Sequence, residues 1–104
     1  CKLVVTVDCG IRSVAEVAFA NKIGLNVITS DHHSVGAALP PAAAVVNPKR
    51  DGHRYPFRDL AGVGVAYKIA QALLRVEANT PIGKGDPLTA ESLLDLVAIG
   101  TVAD

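Results

Sequence analysis

The sequence has no methionine, no tryptophan and only four aromatic residues, two tyrosines and two phenylalanines. Half of its 104 residues are nevertheless hydrophobic, and most of these are alanine and valine. Small side chains of this kind suit helices that pack closely on a buried parallel sheet. A chain of this length forms one domain at most.

The sequence also lacks a net charge, because ten basic residues balance ten acidic ones. The chain therefore lacks the overall positive charge that would indicate nucleic-acid binding. No apolar run of about 20 residues and no signal peptide are present, so we expect no membrane contact and a cytoplasmic location. The sequence begins without methionine and stops after Asp104. We therefore expect an internal fragment of a longer protein, with removal of a leader as the alternative.

Only two cysteines are present, Cys1 and Cys9, and they bracket a predicted strand. Eight strand residues at ~3.3 Å each would separate them by about 26 Å. A disulfide requires Cα atoms within roughly 7 Å, so the two cannot pair within this chain. We expect two reduced thiols, as is usual in the cytoplasm.

The hydrophobic pattern predicts an α/β fold, with a parallel sheet built from βαβ units and flanking helices. Leu3–Val7 is almost continuously apolar and β-branched, which is typical of a strand buried on both faces. Ser13 and Glu16 have the spacing of a capping box that begins a helix, and Gly24 stands where that helix should end. Residues 25–29 form the second predicted strand. A strand, helix and strand with short connections force the two strands to be parallel.

The second half of the chain has a weaker pattern. It predicts a short strand over residues 42–47 and a polar loop over 49–59. Apolar residues at helical spacing predict a helix over about 64–76. Residues 78–87 are rich in glycine and proline and predict a surface loop, and Thr89 is the predicted N-cap of a last helix.

Acidic and histidine residues follow both strands of the βαβ unit. Asp8 follows the first strand, and Asp31, His32 and His33 follow the second. Ligands of open α/β sheets bind outside the carboxyl ends of the strands, and neighbouring strands lie ~4.8 Å apart. Removing carboxylates and imidazoles from water costs free energy unless they are paired or bind a metal. A helix-capping role for Asp8 and a solvated loop for the histidines are the alternatives, but the two strand ends together favour a metal site.

Three segments resemble three of the four motifs of the DHH phosphoesterase superfamily: TVDCG (6–10), SDHH (30–33) and GTVAD (100–104). Within that superfamily, residues 44–49 and 60–66 are similar to exonucleases specific for single-stranded DNA. The resemblance covers nearly the whole chain and implies that residues 1–104 form part of a DHH domain. The family's first motif, an acid-x-acid run, and its C-terminal substrate domain have no counterpart here. We therefore expect the isolated chain to be inactive.

The resemblance also implies a set of functional residues. Asp8, His32 and Asp104 match ligands of Mn²⁺ or Mg²⁺, of which the intact enzyme would hold two ions. His33 matches a residue that contacts phosphate, and Asp31 is assigned the orientation of an imidazole. Hard oxygen ligands with one imidazole suit Mn²⁺. The implied reaction is two-metal hydrolysis of phosphodiester bonds in single-stranded DNA, in the 5′→3′ direction.

Two other functions stay open at this point. One is a DHH phosphodiesterase that acts on short oligonucleotides or dinucleotides, and the other is a non-catalytic DNA-replication scaffold of the same fold. A non-catalytic scaffold would be expected to have lost its metal ligands, whereas the matching residues are all present. The implied partners are single-stranded DNA and repair or recombination proteins, and the sequence indicates no oligomeric state.

Two further segments carry weaker signals. A locally basic loop offers phosphate contacts and base stacking for DNA, through Lys49, Arg50, Arg54, Arg58 and Tyr55. A solvated loop anchored by its aromatic residues is the alternative. Gly62 and Gly64 precede a predicted helix, as in a phosphate-binding turn. Because a third glycine and a preceding strand are missing, the pair predicts close packing instead.

Overall fold

The computed structural model describes residues 1–52, 54–79 and 88–104. Within them, three parallel strands form one sheet in the order β1-β2-β3, and helices connect and flank it. The elements are β1 (Leu3–Val7), α1 (Val14–Lys22), β2 (Asn26–Ser30), β3 (Ala44–Val46), α2 (Gly62–Asn79), a 3₁₀ helix (Glu91–Leu93) and α3 (Leu94–Ala103). The predicted α/β class with a parallel sheet is confirmed.

The register of the sheet places the carboxyl ends of all three strands side by side. Val7 pairs with Ser30, and Ser30 pairs with Val46. The N–H of Asp31 continues this ladder by donating to Val46 O at 3.0 Å. The residues that follow the strands therefore meet at one edge of the sheet, as the βαβ pattern predicts.

Helix α1 is short, and most of its residues are not buried. Its only buried residue is Val17, whose N–H donates to Ser13 O at 3.1 Å. The predicted capping box is absent, because the Ser13 side chain makes no capping hydrogen bond. The predicted stop is present: Gly24 has φ +82°, and the N–H of Leu25 returns to Ala20 O.

The first strand differs from its prediction in burial. The side chains of Leu3, Val5 and Val7 are about half exposed, because β1 lies at an edge of the sheet and the described residues cover this face only in part. The core is small and lies around the opposite face and the start of α2, with Ile11, Val17, Val27, Ala61 and Val65.

Helix α2 is longer than predicted at both ends. It begins at Gly62 and continues to Asn79, so it includes the first two residues of the predicted loop. Residues 80–87 of that loop lie outside the described residues. The predicted N-cap at Thr89 is wrong, because Ala90 is the N-cap residue of the 3₁₀ helix and Leu93 that of α3. Thr89 precedes them, and its hydroxyl accepts the Ser92 N–H at 3.4 Å. No helix in the described part of the chain is both long and apolar enough to cross a membrane.

Candidate metal centre

Three residues that the family resemblance assigns to a metal come together in space. Asp8 follows β1, His32 is the second residue after β2, and Asp104 directly follows α3. His32 Nε2 lies 3.1 Å from Asp8 Oδ1 and 3.5 Å from Asp104 Oδ1. The His32 side chain is 11% exposed, whereas those of Asp8 and Asp104 are 54% and 41% exposed. The cluster therefore has a buried imidazole and two carboxylates that are open to solvent.

The donor set of this cluster fits a divalent cation. His32 Nε2 is buried and makes no hydrogen bond with the described residues, even though a carboxylate oxygen lies 3.1 Å away. A buried polar atom without a hydrogen bond is unfavourable and calls for an explanation. Two carboxylate oxygens and one imidazole nitrogen are ligands that Mn²⁺ accepts. The roles of Asp8, His32 and Asp104 as ligands stay a prediction at this stage.

An unusual backbone conformation directs the Asp8 side chain. Asp8 has φ +62°, and among the described residues other than glycine it is the only one with positive φ. Such a conformation costs about 1–3 kcal/mol and is concentrated at functional sites. Gly10 then turns the chain back with φ +104°, and a Cβ there would lie 2.8 Å from Thr6 Oγ1. The Thr6 hydroxyl donates to Cys9 O at 2.8 Å, which closes this turn.

Asp31 is buried and uses its carboxylate inside the protein. Its Oδ2 accepts the Ile11 N–H at 2.9 Å, and its Oδ1 accepts the N–H groups of His32 at 2.8 Å and His33 at 3.2 Å. Burial alone would raise the pKa of Asp31, but these hydrogen bonds and the His33 ring hold its pKa below the ordinary value. Asp31 thus joins the loop after β1 to the loop after β2.

His33 is exposed, and its ring contacts Asp31, the residue to which the orientation of an imidazole is assigned above. Its Nδ1 lies 2.7 Å from Asp31 Oδ1, and its ring centroid lies 4.5 Å from that of His32, with the planes tilted by 58°. The ligand atoms of Asp8, His32 and His33 all lie within 4.8 Å of one another. The geometry therefore allows His33 to approach either a metal or a phosphate, and its contact with phosphate stays a prediction.

Arg12 is a candidate functional residue that the sequence reasoning missed. It lines a depression of about 330 Å³ together with Asp8, Asp31 and His33. Its Nε donates to Ser34 O at 3.0 Å, so it bridges the two loops of the site. Its place in the sequence could have identified it, because Arg12 lies in the turn after β1, at the carboxyl edge where α/β proteins bind ligands.

Two arginines of the predicted DNA-binding loop donate hydrogen bonds to backbone carbonyls, one in β3 and one in the loop itself. Arg50 Nη1 donates to Val45 O at 2.5 Å, and Arg58 Nη2 donates to Lys49 O at 3.0 Å. These contacts favour a structural contribution for Arg50 and Arg58, in addition to any contact with DNA.

The other members of that loop lie in different surroundings. Lys49 and Arg58 line a depression of about 470 Å³ that shares Ser34 with the depression at the candidate metal site. Arg54 is exposed. Tyr55 is half-buried and lines a separate, mainly apolar cavity of about 280 Å³ beside α2. The structure thus brings Lys49 and Arg58 next to the candidate site, whereas Tyr55 does not line either of these two depressions.

Known proteins resemble this chain over almost its whole length. The family model described as "DHH family, N-terminal domain" matches residues 2–101. The single-stranded-DNA-specific exonuclease RecJ of Bacillus subtilis (strain 168) is 49% identical over 102 residues, which are 98% of this chain and 12% of that protein. RecJ of Salmonella typhimurium (strain LT2) is 46% identical over 106 residues, covering 99% of this chain and 18% of that protein.

A solved structure agrees with these relatives. A crystal structure of exonuclease RecJ bound to manganese matches with a TM-score of 0.75 and 34% identity, over 99% of this chain and 24% of that one. The chain spans 12% and 18% of the length of the two curated relatives. The predicted resemblance to DHH phosphoesterases is confirmed, and this chain belongs to the DHH family.

Proposed function

We propose that this chain carries part of the active site of a metal-dependent exonuclease that degrades single-stranded DNA in the 5′→3′ direction. One observation carries the proposal: the buried Nε2 of His32 has no hydrogen-bond partner among the described residues and faces carboxylate oxygens of Asp8 and Asp104. The relatives support the substrate, because their names describe exonucleases specific for single-stranded DNA. The manganese of the solved relative supports a divalent ion.

Asp8, His32 and Asp104 would hold Mn²⁺ or Mg²⁺, and the intact protein would hold two ions. When bound, these ions supply an activated water and positive charge at the reacting phosphate. Residues 1–104 contribute only part of the DHH domain in this proposal. Further ligands would come from outside the chain, as the missing acid-x-acid motif predicts.

Other side chains of the depression would bind and orient the DNA. Asp31 holds Nδ1 of His33, so the other ring nitrogen of His33 is the one that can contact a phosphate oxygen. Arg12 would contact a neighbouring phosphate through its guanidinium, a group suited to such pairing. Lys49 and Arg58 would follow the DNA backbone in the adjoining depression.

We extend the proposal to the setting of the protein. The free thiols of Cys1 and Cys9 fit the cytoplasm, where disulfides are rare. A nuclease of this specificity would act in DNA repair or recombination, together with other proteins of those processes.

The test uses the full-length natural protein and single-stranded DNA that carries a label at either the 5′ or the 3′ end. We expect release from the 5′ end that requires Mn²⁺ or Mg²⁺. His32→Ala should raise the Mn²⁺ concentration needed for half-maximal turnover, and excess Mn²⁺ should recover part of the activity. Lys22→Ala, which removes an exposed charge at the end of α1, is the control.

Three outcomes would contradict the proposal. If His32→Ala required no more Mn²⁺ than the control, the metal centre would be wrong. Release from the 3′ end would refute the proposed direction. Turnover of dinucleotides without turnover of longer DNA would favour the alternative phosphodiesterase.

A further inference from the structure

Helix α2 begins directly against the carboxyl group of Asp8. Gly62, the first residue of α2, is buried. A Cβ at this position would overlap Asp8 Oδ1 and would lie 2.6 Å from Cγ and 2.9 Å from Cβ of Asp8. Real Cβ atoms essentially never come within 3.0 Å of such neighbours. The space that any side chain at position 62 requires is therefore occupied by Asp8.

The backbone of Gly62 does not itself require glycine. Positive φ occurs among the described glycines at Gly10, Gly24 and Gly52, and Gly62 is not one of them. Gly62 stands in a helix, where alanine is intrinsically more favourable than glycine. Position 62 thus requires glycine because glycine has no side chain, and not because its backbone is more flexible.

The contact with α2 and the contact with His32 involve the same oxygen of Asp8. Oδ1 is the atom that a Cβ at position 62 would overlap, and Oδ1 also lies 3.1 Å from His32 Nε2. The φ of +62° at Asp8 fixes the direction in which its side chain leaves the backbone. With the backbone fixed in this way, a group at position 62 would move Oδ1 relative to His32.

We propose that Gly62 is a positioning residue for the candidate metal centre, in which the start of α2 forms a wall that holds the Asp8 carboxylate opposite His32. This inference rests on the proposed role of Asp8 as a metal ligand. It assigns a function to Gly62, the first glycine of the pair before the predicted helix, which the sequence explains only as close packing.

The first experiment compares Gly62→Ala with Gly64→Ala in the full-length natural protein. A Cβ at Gly64 also meets a neighbour closely, 2.5 Å from Leu60 Cδ1 and 2.8 Å from its Cγ, but this neighbour is aliphatic. Mn²⁺ affinity is measured by electron paramagnetic resonance without DNA, so the readout is independent of turnover. We expect Gly62→Ala to weaken Mn²⁺ binding about 10- to 100-fold, the usual effect of losing support for a ligand. Gly64→Ala should leave the affinity unchanged.

A double-mutant cycle with Asp8→Gly tests whether Gly62 acts through Asp8. Glycine at position 8 removes every Asp8 side-chain atom that a Cβ at position 62 would meet, and it accepts the positive φ. In the metal-free protein, Gly62→Ala should lower the melting temperature, and Asp8→Gly should cancel most of that loss. In the Asp8→Gly background, Gly62→Ala should cause no further loss of Mn²⁺ affinity. If Gly62→Ala alone fails to fold, the double variant should fold again.

The outcomes separate this inference from the proposed function. If Asp8→Gly itself binds Mn²⁺ as tightly as the unmodified protein, both the metal role of Asp8 and the inference are wrong. If Asp8→Gly loses Mn²⁺ but Gly62→Ala retains it, only the inference is wrong. Equal losses in Gly62→Ala and Gly64→Ala, or a double variant as unstable as Gly62→Ala, would also overturn it.

Discussion

Replacing Asp31 with asparagine tests how the two loops of the candidate site are held together. Asp31 is 2% exposed, and its Oδ2 accepts the N–H of Ile11 from the other loop. Its Oδ1 accepts the N–H groups of His32 and His33 and lies 2.7 Å from the His33 ring nitrogen. Asparagine has nearly the same shape, but its NH₂ group donates hydrogen bonds and cannot accept them.

The size of the effect follows from which donor loses its acceptor. The asparagine carbonyl can occupy the Oδ1 position, where the donors of His32 and His33 converge, so its NH₂ then faces the Ile11 N–H. A buried donor without a partner costs about 1–3 kcal/mol. Since 1.4 kcal/mol corresponds to a factor of ten, the Ile11 amide should exchange with solvent about 5- to 150-fold faster.

Hydrogen exchange followed by mass spectrometry measures this in the full-length natural protein. Exchange should accelerate more in the peptide that contains Ile11 than in the peptide that contains His32. Asp95→Asn is the control, because Asp95 is an exposed acid of helix α3 that accepts the N–H of Leu96 at 2.8 Å. Unchanged exchange at Ile11 in Asp31→Asn would refute the assignment of Asp31 as the link between the loops, and so would equal acceleration in the control.

Three further predictions concern DNA and metal in the full-length natural protein. His33→Ala should lower single-turnover rates by about 10²–10³ and leave Mn²⁺ affinity nearly unchanged; loss of Mn²⁺ would instead make His33 a ligand. Arg12→Ala should lower the slope of log affinity for DNA against log salt by about one unit, and an unchanged slope would remove Arg12 from the phosphate path. Arg54→Ala should lower this slope similarly. Arg50→Ala should mainly lower the melting temperature, because Arg50 donates a hydrogen bond to Val45 O. Equal melting temperatures of the two variants would contradict that distinction.

The first βαβ unit could be predicted from the sequence because its signals are local. The apolar run gives the bounds of β1, and Gly24 marks the end of α1, where φ is +82°. Strand β2 is displaced by one residue from the prediction, as is usual at element ends. The half-exposed face of β1 could not be predicted, because exposure depends on which elements cover a face, and a continuous apolar run does not specify them.

Helix α2 begins two residues before its predicted start for a different physical reason. Glycine is a poor helix former, so the sequence favours a start at or after Gly64. In the fold, the helix begins at Gly62, where a Cβ would overlap Asp8. A contact between residues 8 and 62 has no local signal in either segment, and single-sequence reasoning could not find it.

The same limit applies to the two acids that follow β1 and β2. From the sequence, Asp8 and Asp31 are hard to distinguish, since each closely follows a predicted apolar strand. In the fold, Asp31 is buried and its oxygens accept bonds from Ile11, His32 and His33, whereas Asp8 is 54% exposed and faces a nitrogen that makes no hydrogen bond with the described residues. A carboxylate that is already saturated with donors has little capacity left for a cation. The family resemblance assigned the metal to Asp8 and not to Asp31, and the difference in their surroundings provides an independent physical reason for that choice.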